Sequence, residues 1–438
     1  MPTRHPAPAL LLLAALIAAS MGGACALDNG VALTPPMGWM SWQYFRAITD
    51  CATYPNDCLT EGLFHAQADH LVKDGYLAAG YNSLHFDDAV VDMQRDAQGR
   101  LQGDRVRFPT GLKALGDYLH TRGLQLAIYS DIGTNTCGGY PGSQGNITVD
   151  AQTFAAWGSD YLKLDGCYAN ETDYARDYPA MGRALNATGR PIVYSCSWPA
   201  YLSEAEKTRV YPELAKICNL WRQFDDIQNS WDSMISIVDY WGDNQDVFSK
   251  YSGPGQWNDP DMLIIGNSGL SQPESEVQMA MWAIFAAPLI MGNDLRIVNE
   301  WQRDILLNKE VRLFGKHCRC TMSFYRSFRN EIENIVLNNV LKCACRSLPS
   351  IKTRSVCKAC ASLPKGRSRC GSVTWRMPTW RLRSCPSATT VAFPCMWTRR
   401  GRCSALPDRF AAAISFRTLI WACLLTKFRS AWLDTACA

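Results

Sequence analysis

The chain has 438 residues, of which 47% are hydrophobic, as expected of a globular protein large enough for two domains. Only six histidines are present, which disfavours a His-based catalytic triad or a His-rich metal site. The formal net charge of +4 combines two opposite regions: residues 1–311 carry 21 Lys and Arg against 36 Asp and Glu, whereas residues 312–438 carry 23 against 4.

The first predicted element is a signal peptide over residues 1–26. A short basic start precedes an unbroken apolar run over residues 9–19, and residues 24–26 match the small-x-small cleavage rule. We expect the mature chain to begin at Leu27 and to enter the secretory pathway, either to the lysosome or to the outside. The alternative is a membrane anchor, but the run is too short to span a bilayer, so we expect no membrane partner.

The next predicted region, residues 27–311, alternates short β-rich runs with amphipathic helices such as those over 60–79, 111–122 and 151–158. The eight predicted strands are Met37–Met40, Tyr81–Asp88, Gln125–Asp131, Tyr161–Gly166, Pro191–Trp198, Leu220–Phe224, Gln256–Leu263 and Pro288–Asn293. Eight β/α units in about 275 residues indicate the α/β class and a (β/α)8 TIM barrel. A doubly wound sheet is the alternative, but it needs an early glycine-rich phosphate loop, which the sequence lacks.

Polar or aromatic side chains lie at or just after the C-terminal ends of six consecutive predicted strands. In chain order they are Asp87 and Asp88, then Tyr129 and Asp131, Lys163 and Asp165, Ser197 and Trp198, Arg222 with Asp225 and Asp226, and Asp259 with Asp261. A single carboxylate after a strand is usually a helix N-cap. The recurrence over successive strands instead predicts an active site, because barrel enzymes build their sites at the C-terminal strand ends.

These polar groups are mainly carboxylates, and they are accompanied by many aromatic residues. The aromatic side chains are Trp39, Trp42, Tyr129, Trp198, Tyr201, Trp221 and Trp257. Paired carboxylates can divide acid and nucleophile duties, and aromatic rings stack on the apolar faces of sugars, so the set favours a carbohydrate substrate. A Mg²⁺ enzyme that uses converging carboxylates is the alternative from the residues alone. We expect neither a metal nor a cofactor.

Six motifs in this region resemble those of one enzyme family. They are LDNGVALTPPMGWMSW, FDDAV, YLKLDGCY, YSCSWPAY, LWRQFDDI and GQWNDPDML, and they run from Leu27 to about Val311 in the family's order. The chain is similar to the retaining α-galactosidases and α-N-acetylgalactosaminidases. The resemblance implies a (β/α)8 barrel followed by an antiparallel β domain, a carbohydrate substrate and a homodimer.

The resemblance also implies catalytic roles. Asp165 matches the family's nucleophile and Asp226 its general acid/base, which in a retaining enzyme should lie about 5–5.5 Å apart. Lys163 lies two residues before Asp165 on the same strand face, where its charge should keep Asp165 ionised. Asp226 should be protonated before it acts, which fits an acidic compartment. The implied substrate-binding residues are Trp42, Asp87, Asp88, Tyr129, Lys163, Ser197, Ala200, Tyr201, Arg222 and Asp261.

The motif CSWPAY bears on the choice of sugar. The galactosidase members carry Glu and Leu where this chain has Ser197 and Ala200, and the smaller pair leaves room for a 2-acetamido group. The sequence therefore resembles the α-N-acetylgalactosaminidase branch. The alternatives are chance drift at two positions in an α-galactosidase, an inactive galactoside-binding relative, and the truncated product of a broken gene.

The cysteines and glycosylation acceptors of this region agree with secretion. The resemblance and the element order pair Cys51 with Cys58, Cys137 with Cys167, and Cys196 with Cys218. A fourth family bridge is missing, because its positions are Ala47 and Ala89. Three sequons predict N-linked glycans at Asn146, Asn170 and Asn186.

Residues 312–438 depart from the family pattern. This segment carries 12 of the 19 cysteines, is rich in Arg, Ser and Trp, and shows little alternation of polar and apolar residues. We interpret it as an aberrant basic tail, frameshifted relative to the family's β domain, and we expect no compact β sandwich. A basic binding module and a disordered tail are the alternatives. Its cysteines lack a convincing zinc spacing, and we expect no nucleic-acid partner.

Overall fold

The computed structural model of the protein describes residues 27–309, and all of them belong to one compact unit. The predicted signal peptide and the predicted basic tail lie outside the described residues. Between residues 27 and 309, no helix combines the length and the apolarity that a membrane crossing requires.

Eight parallel strands form one sheet, in the order β7-β6-β5-β4-β3-β2-β1-β8. Their bounds are Met37–Met40 (β1), Ser83–Phe86 (β2), Gln125–Asp131 (β3), Tyr161–Asp165 (β4), Val193–Cys196 (β5), Leu220–Arg222 (β6), Trp257–Asp259 (β7) and Leu289–Met291 (β8). The sheet closes beyond β7, where the N–H of Leu263 donates to the carbonyl of Ile290 and the N–H of Gly292 donates to the carbonyl of Leu263, both at 2.8 Å. The predicted (β/α)8 barrel is confirmed.

Several strands are shorter than the sequence predicts. The strand predicted over residues 256–263 ends at Asp259, because Pro260 has no N–H to donate to a ladder and Asp261 adopts a left-handed backbone with φ of 78°. The chain therefore turns at the mouth of the barrel before Leu263 rejoins the sheet. The apolar composition around a strand marks its position but not the turn that ends it.

Helices cover the outside of the sheet. Among residues 27–309 the α-helices span Trp42–Phe45, Glu61–Lys73, Tyr76–Ala79, Leu112–His120, Ile147–Trp157, Glu171–Ala187, Glu204–Ile217, Trp231–Phe248, Gln272–Ile284 and Glu300–Leu306. The single helix predicted over residues 60–79 is wrong, because Gly75 adopts a φ of 89° and divides it in two. The first of the two begins where the hydroxyl of Thr60 accepts from the N–H of Leu63 at 3.2 Å.

The barrel interior has an apolar floor. Ala127, Tyr161, Leu220 and Trp257 form a buried cluster separate from the larger core between the strands and the helices. Side chains on one face of a strand recur every second residue, so the next inward layer above this floor holds the polar residues of each strand. The fold thus places the candidate site on a packed base at the C-terminal mouth.

Candidate active site

Strand register aligns the inward polar residues in pairs. On β3 and β4, Tyr129 lies opposite Lys163 and Asp131 lies opposite Asp165. On β6 and β7, Arg222 lies opposite Asp259. These pairs stand one or two layers above the apolar floor, so the predicted site residues of four strands share the inner face of the barrel.

Asp165, the predicted nucleophile, is half-buried and held by two tyrosines. The hydroxyl of Tyr201 donates to its Oδ1 at 2.6 Å, and the hydroxyl of Tyr129 donates to its Oδ2 at 3.2 Å. Burial first, and the carboxylate of Asp165 second, raise the pKa of both hydroxyls, so each remains a donor at every physiological pH. The carboxylate is therefore oriented by fixed hydrogen bonds to both oxygens.

A disulfide lies against the same carboxylate. Cys137 and Cys167 are bonded to each other, and the sulfur of Cys137 lies 3.6 Å from Oδ2 of Asp165. The disulfide fixes the loop that follows β4 to the loop that follows β3. A side chain at Gly133 would collide with the backbone of Cys167, so only glycine permits this close approach of the two loops.

Lys163 forms its direct ion pair with Asp87, and not with Asp165. The Nζ of Lys163 lies 2.8 Å from Oδ2 of Asp87, which is buried at the end of β2. Burial alone would lower the pKa of Lys163, but the carboxylates of Asp87 and Asp165 raise it, so the ammonium stays charged. Arg222 chiefly, and the ammonium of Lys163 as well, lower the pKa of Asp226. The field of Lys163 therefore reaches both predicted catalytic carboxyls.

Asp88 is buried beside Asp87 and already accepts several hydrogen bonds. The hydroxyl of Thr136 donates to its Oδ1 at 2.8 Å, and the N–H of Gly138 donates to its Oδ2 at 2.7 Å. Each carboxylate oxygen has two acceptor positions, so capacity remains for a further donor. The surrounding donors fix the orientation of this carboxylate in advance of any ligand.

Arg222 joins two carboxyls on the far side of the mouth. Its guanidinium lies 3.0 Å from Oδ1 of Asp226 and 3.2 Å from Oδ1 of Asp261. The side chain of Asp226 is 64% exposed, whereas that of Asp261 is 5% exposed. The cation of Arg222 lowers the pKa of Asp226, although the expected role of this residue requires a proton.

Asp261 is the most constrained of the predicted binding residues. Its positive φ is uncommon for a residue with a side chain, and it is maintained by surrounding hydrogen bonds. The N–H of Ile227 donates to its Oδ2 at 2.8 Å, and its own N–H donates to Asp259 at 2.9 Å. Burial raises the pKa of Asp259 to about 6. The carboxylate of Asp261 thus supports both Arg222 and the loop that carries Asp226.

Three further predicted residues lie near the ends of β1 and β5. Ser197 is 4% exposed and donates its N–H to the carbonyl of Leu164, beside the strand that bears the nucleophile. It precedes a short 3₁₀ helix, Trp198–Tyr201, which carries the exposed Ala200. Trp42 is half-buried in the first short helix, and the guanidinium of Arg46 lies 5.5 Å from its ring centroid.

Asp131 is the residue that sequence reasoning left without a role. It is 0% exposed, and its carboxyl accepts from the N–H groups of Gly133 at 2.7 Å and Cys167 at 2.9 Å. Burial, and then the charge of Asp165, raise its pKa to about 8. Its position at a strand end next to Tyr129 was visible in the sequence, but its complete burial was not.

Asp131, Cys137 and Cys167 also place three candidate ligand atoms within 4.8 Å of one another. Both sulfurs are committed to one disulfide, which removes the thiolates that a metal would need. The other two disulfides of the described residues, Cys51 with Cys58 and Cys196 with Cys218, match the predicted pairing. The predicted loss of a fourth family bridge at Ala47 and Ala89 stays a prediction.

Comparison with known proteins shows the family of the chain. The family model for alpha galactosidase A matches residues 34–315. Alpha-N-acetylgalactosaminidase of Gallus gallus is 55% identical over 284 residues, which are 65% of this chain and 70% of that protein. Alpha-galactosidase A of Homo sapiens is 48% identical over 312 residues, which are 71% of this chain and 72% of that protein. The solved structure of alpha-galactosidase I from Mortierella vinacea has a TM-score of 0.56 and 32% identity, covering 66% of this chain and 74% of that chain.

The chain thus spans about seven tenths of the length of these two curated relatives. The names of these two relatives refer to different sugars, although their identities to this chain are similar. Overall identity therefore shows the family but does not distinguish which sugar is the substrate. The predicted family resemblance is confirmed.

Proposed function

The chain belongs to the alpha galactosidase A family of glycoside hydrolases, and we propose that it is a retaining exo-glycosidase that removes terminal α-linked N-acetylgalactosamine from glycoconjugates. The observation that carries the proposal is the contrast between its two carboxyls. Asp165 is fixed by Tyr201 and Tyr129, as a nucleophile must be, whereas Asp226 is exposed at the mouth beside Arg222. Two carboxyls with separate environments divide the nucleophile and acid roles.

In the first step, a carboxylate oxygen of Asp165 attacks the anomeric carbon as the bond from that carbon to the aglycone oxygen breaks. Asp226 gives its proton to the departing oxygen, so the aglycone leaves as a neutral alcohol. The product of this step is a glycosyl ester on Asp165 and a carboxylate on Asp226. Arg222 stabilises that carboxylate through its 3.0 Å contact.

In the second step, Asp226 takes a proton from a water molecule, whose oxygen attacks the anomeric carbon. The ester bond to Asp165 breaks, and the sugar leaves with its original α configuration because two inversions have occurred. Tyr201 and Tyr129 donate to the carboxylate that re-forms, so the same hydrogen bonds stabilise the leaving group of this step.

The sugar is recognised by polar and aromatic side chains that surround Lys163. Asp87 and Asp88 retain acceptor positions for neighbouring hydroxyls, and Asp261 and Arg222 border the opposite side. Trp42 supplies an aromatic face. These assignments need no cofactor, and we expect the enzyme to act in the lysosome or outside the cell, with a homodimer as its assembly.

The choice of N-acetylgalactosamine rests on Ser197 and Ala200. Both are small. Ala200 directly precedes Tyr201, which touches the nucleophile, and Ser197 is the N-cap residue of the same 3₁₀ helix, so we expect the pair to leave room for an acetamido group near carbon 2. Ser197 can hydrogen-bond the acetyl carbonyl, and Ala200 can contact its methyl group. An α-galactosidase is the second candidate, favoured by the 48% identity to human alpha-galactosidase A.

The test compares kcat/KM for p-nitrophenyl α-N-acetylgalactosaminide and p-nitrophenyl α-galactoside, with the anomer of the first product followed by NMR. We expect a preference for the acetamido sugar and an α product. Preference for the plain galactoside would replace the proposal by the second candidate. A β product would refute retention, and no turnover of either substrate would indicate an inactive relative.

A further inference from the structure

One helix carries a predicted glycosylation acceptor at each end. The helix Glu171–Ala187 is preceded by Asn170, which caps its N-terminus, and contains Asn186 in its last turn. Both belong to Asn-x-Thr sequons, completed by Thr172 and Thr188. At about 1.5 Å per residue, the two asparagines lie about 24 Å apart along the helix axis.

The two ends of this helix face opposite sides of the barrel. The helix follows β4, so its N-terminus lies at the C-terminal strand ends, where the candidate active site stands. Its C-terminus leads back to the start of β5 at the other face. Asn170 therefore lies on the catalytic face, and Asn186 lies on the far face.

Asn170 is close to the nucleophile by chain connectivity. It lies five positions after Asp165, and an extended chain covers at most about 3.6 Å per position, so the two Cα atoms lie within about 18 Å. The connecting loop is fixed by the disulfide at Cys167 and by the hydroxyl of Tyr174, which donates to the carbonyl of Gly166 at 2.7 Å. The attachment point is therefore held at the rim of the site.

The side chain of Asn170 is also free to carry a substituent. It is exposed, and although it occupies an N-cap position, it makes no side-chain capping bond. In contrast, Asn299 at another N-cap accepts from the N–H of Gln302 at 3.1 Å. Asn146 is half-buried, and its amide donates to the carbonyl of Gln144 at 3.3 Å. Asn170 is the better placed of the two acceptors at helix starts on the catalytic face.

We propose that an N-linked glycan on Asn170 lies at the rim of the active site and hinders the cleavage of terminal sugars on intact folded glycoproteins. Short oligosaccharides and glycopeptides are then the preferred substrates. The inference rests on the proposed glycosidase function. A small substrate needs only the pocket around Asp165, whereas a folded glycoprotein must approach the whole catalytic face. A bulky, solvated glycan there obstructs the second approach and not the first.

The modification is a group transfer from a lipid-linked oligosaccharide diphosphate in the secretory pathway. The Nδ2 nitrogen of Asn170 forms a bond to the anomeric carbon of the oligosaccharide, and the bond from that carbon to the diphosphate oxygen breaks. The amide gives up one proton as the lipid diphosphate leaves. Thr172 completes the sequon that the transferring enzyme requires.

The experiment compares the full chain from a secretory eukaryotic host with the variants Asn170→Gln, Thr172→Ala and Asn186→Gln. Mass spectrometry measures glycan occupancy of each asparagine. The kcat/KM is measured on the p-nitrophenyl glycoside and on a folded glycoprotein with the same terminal sugar. We expect Asn170→Gln and Thr172→Ala to raise kcat/KM on the glycoprotein several-fold and to leave the small substrate unchanged.

Asn186→Gln is the matched control, because it removes a glycan at the far end of the same helix, and it should change neither value. Thr172→Ala keeps the asparagine, so agreement with Asn170→Gln assigns the effect to the glycan. Two results overturn this inference and leave the proposed function standing. One is an Asn170 that carries no glycan. The other is a ratio of kcat/KM on the glycoprotein to kcat/KM on the small substrate that is the same in the wild type, Asn170→Gln and Thr172→Ala, while all three turn over the small substrate. No turnover of the small substrate by any form overturns the proposed function and this inference with it.

Discussion

The two sides of the candidate active site differ in how they hold a carboxyl group. On the β4 side, Asp165 is half-buried, receives two tyrosine hydrogen bonds and lies against a disulfide. On the β6 side, Asp226 is largely exposed and pairs with the cation of Arg222. The orientation of Asp165 is therefore fixed by hydrogen bonds, whereas the protonation of Asp226 depends mainly on the charge of a neighbouring side chain.

This contrast has a consequence for pH. The neighbouring Arg222 lowers the pKa of Asp226, so its protonated form is populated only in acidic solution. A general acid in this state limits kcat/KM as pH rises through its pKa, and the enzyme should lose activity towards neutrality. We expect an acidic compartment to favour the protonated form of Asp226 that the proposed mechanism requires.

The largest expected effects are the losses of activity in Asp165→Asn and Asp226→Asn, which should differ in their dependence on the leaving group. Asp165→Asn should reduce kcat by several orders of magnitude on every substrate, because the nucleophile is gone. Asp226→Asn should lower kcat/KM, which reports the first step, roughly 10²- to 10⁴-fold on a poor leaving group and much less on a dinitrophenyl glycoside, whose departure needs no proton. Steady-state kinetics of the folded variants, with folding checked by circular dichroism, measures both. Equal losses for Asp226→Asn on the two leaving groups would refute its acid role.

The next effect concerns the sugar and leaves both carboxyls intact. The double variant Ser197→Glu with Ala200→Leu should reverse the preference between the two p-nitrophenyl sugars, by a factor of roughly one hundred in the ratio of kcat/KM values. Glu supplies a partner for a 2-hydroxyl, and Leu fills the acetamido space. Either single variant should give a partial change. A double variant with the original preference would show that these positions do not select the sugar.

A smaller effect tests how firmly the nucleophile is held. Tyr201→Phe removes the 2.6 Å hydrogen bond to Asp165, and Tyr129→Phe removes the 3.2 Å one. A hydrogen bond to a charged group contributes about 1.5–3 kcal/mol, so kcat should fall about tenfold or more for Tyr201→Phe. The loss for Tyr129→Phe should be smaller because its contact is longer. The reverse order would contradict the account of the β4 side.

The smallest expected effect is on stability and involves Asp131. Its pKa is raised to about 8 in the folded state, so between pH 4 and 8 the folded protein holds a proton that the unfolded chain releases. Its stabilising contribution is therefore present in full below about pH 4 and is lost as pH rises to about 8. Asp131→Asn carries no titrating group at this position and should lose less stability than the wild type between pH 5 and 7.

The measurement is the melting temperature at the two pH values. At about 1.4 kcal/mol per pH unit, the difference between the two proteins is at most on the order of 3 kcal/mol, or several degrees. The exposed Asp117 provides the control, because Asp117→Asn should follow the wild type. Identical pH dependence in Asp131→Asn and the wild type would show that Asp131 is not protonated in the folded state.

The sequence predicted the barrel and which residues gather at the C-terminal ends of its strands. The bounds of β1 and β3 agree with the predicted strands, and nearly every residue of both strands is buried. The residues at the strand ends were found because the C-terminal ends of barrel strands converge. Their electrostatic partners were not found, since pairs such as Lys163 with Asp87 join residues 76 positions apart.

Two features could not be read from residue patterns. The break at Gly75 depends on a left-handed backbone, which a glycine permits but does not require. The high pKa of Asp131 depends on complete burial beside Asp165, which follows from the register of β3 and β4. Both depend on packing between elements and not on local composition.

Covalent trapping distinguishes the nucleophile, which we propose is Asp165, from the acid/base, which we propose is Asp226. A galacto-configured aziridine probe forms a stable ester with the nucleophile of a retaining enzyme. Trypsin cleaves after Lys163 and Arg222, so the two carboxyls fall on separate peptides, residues 164–176 and 223–250. Mass spectrometry should place the label on Asp165, and Asp165→Asn should abolish it. A label on Asp226 would show that Asp226 is the nucleophile and would refute the proposed assignment of the two carboxyls.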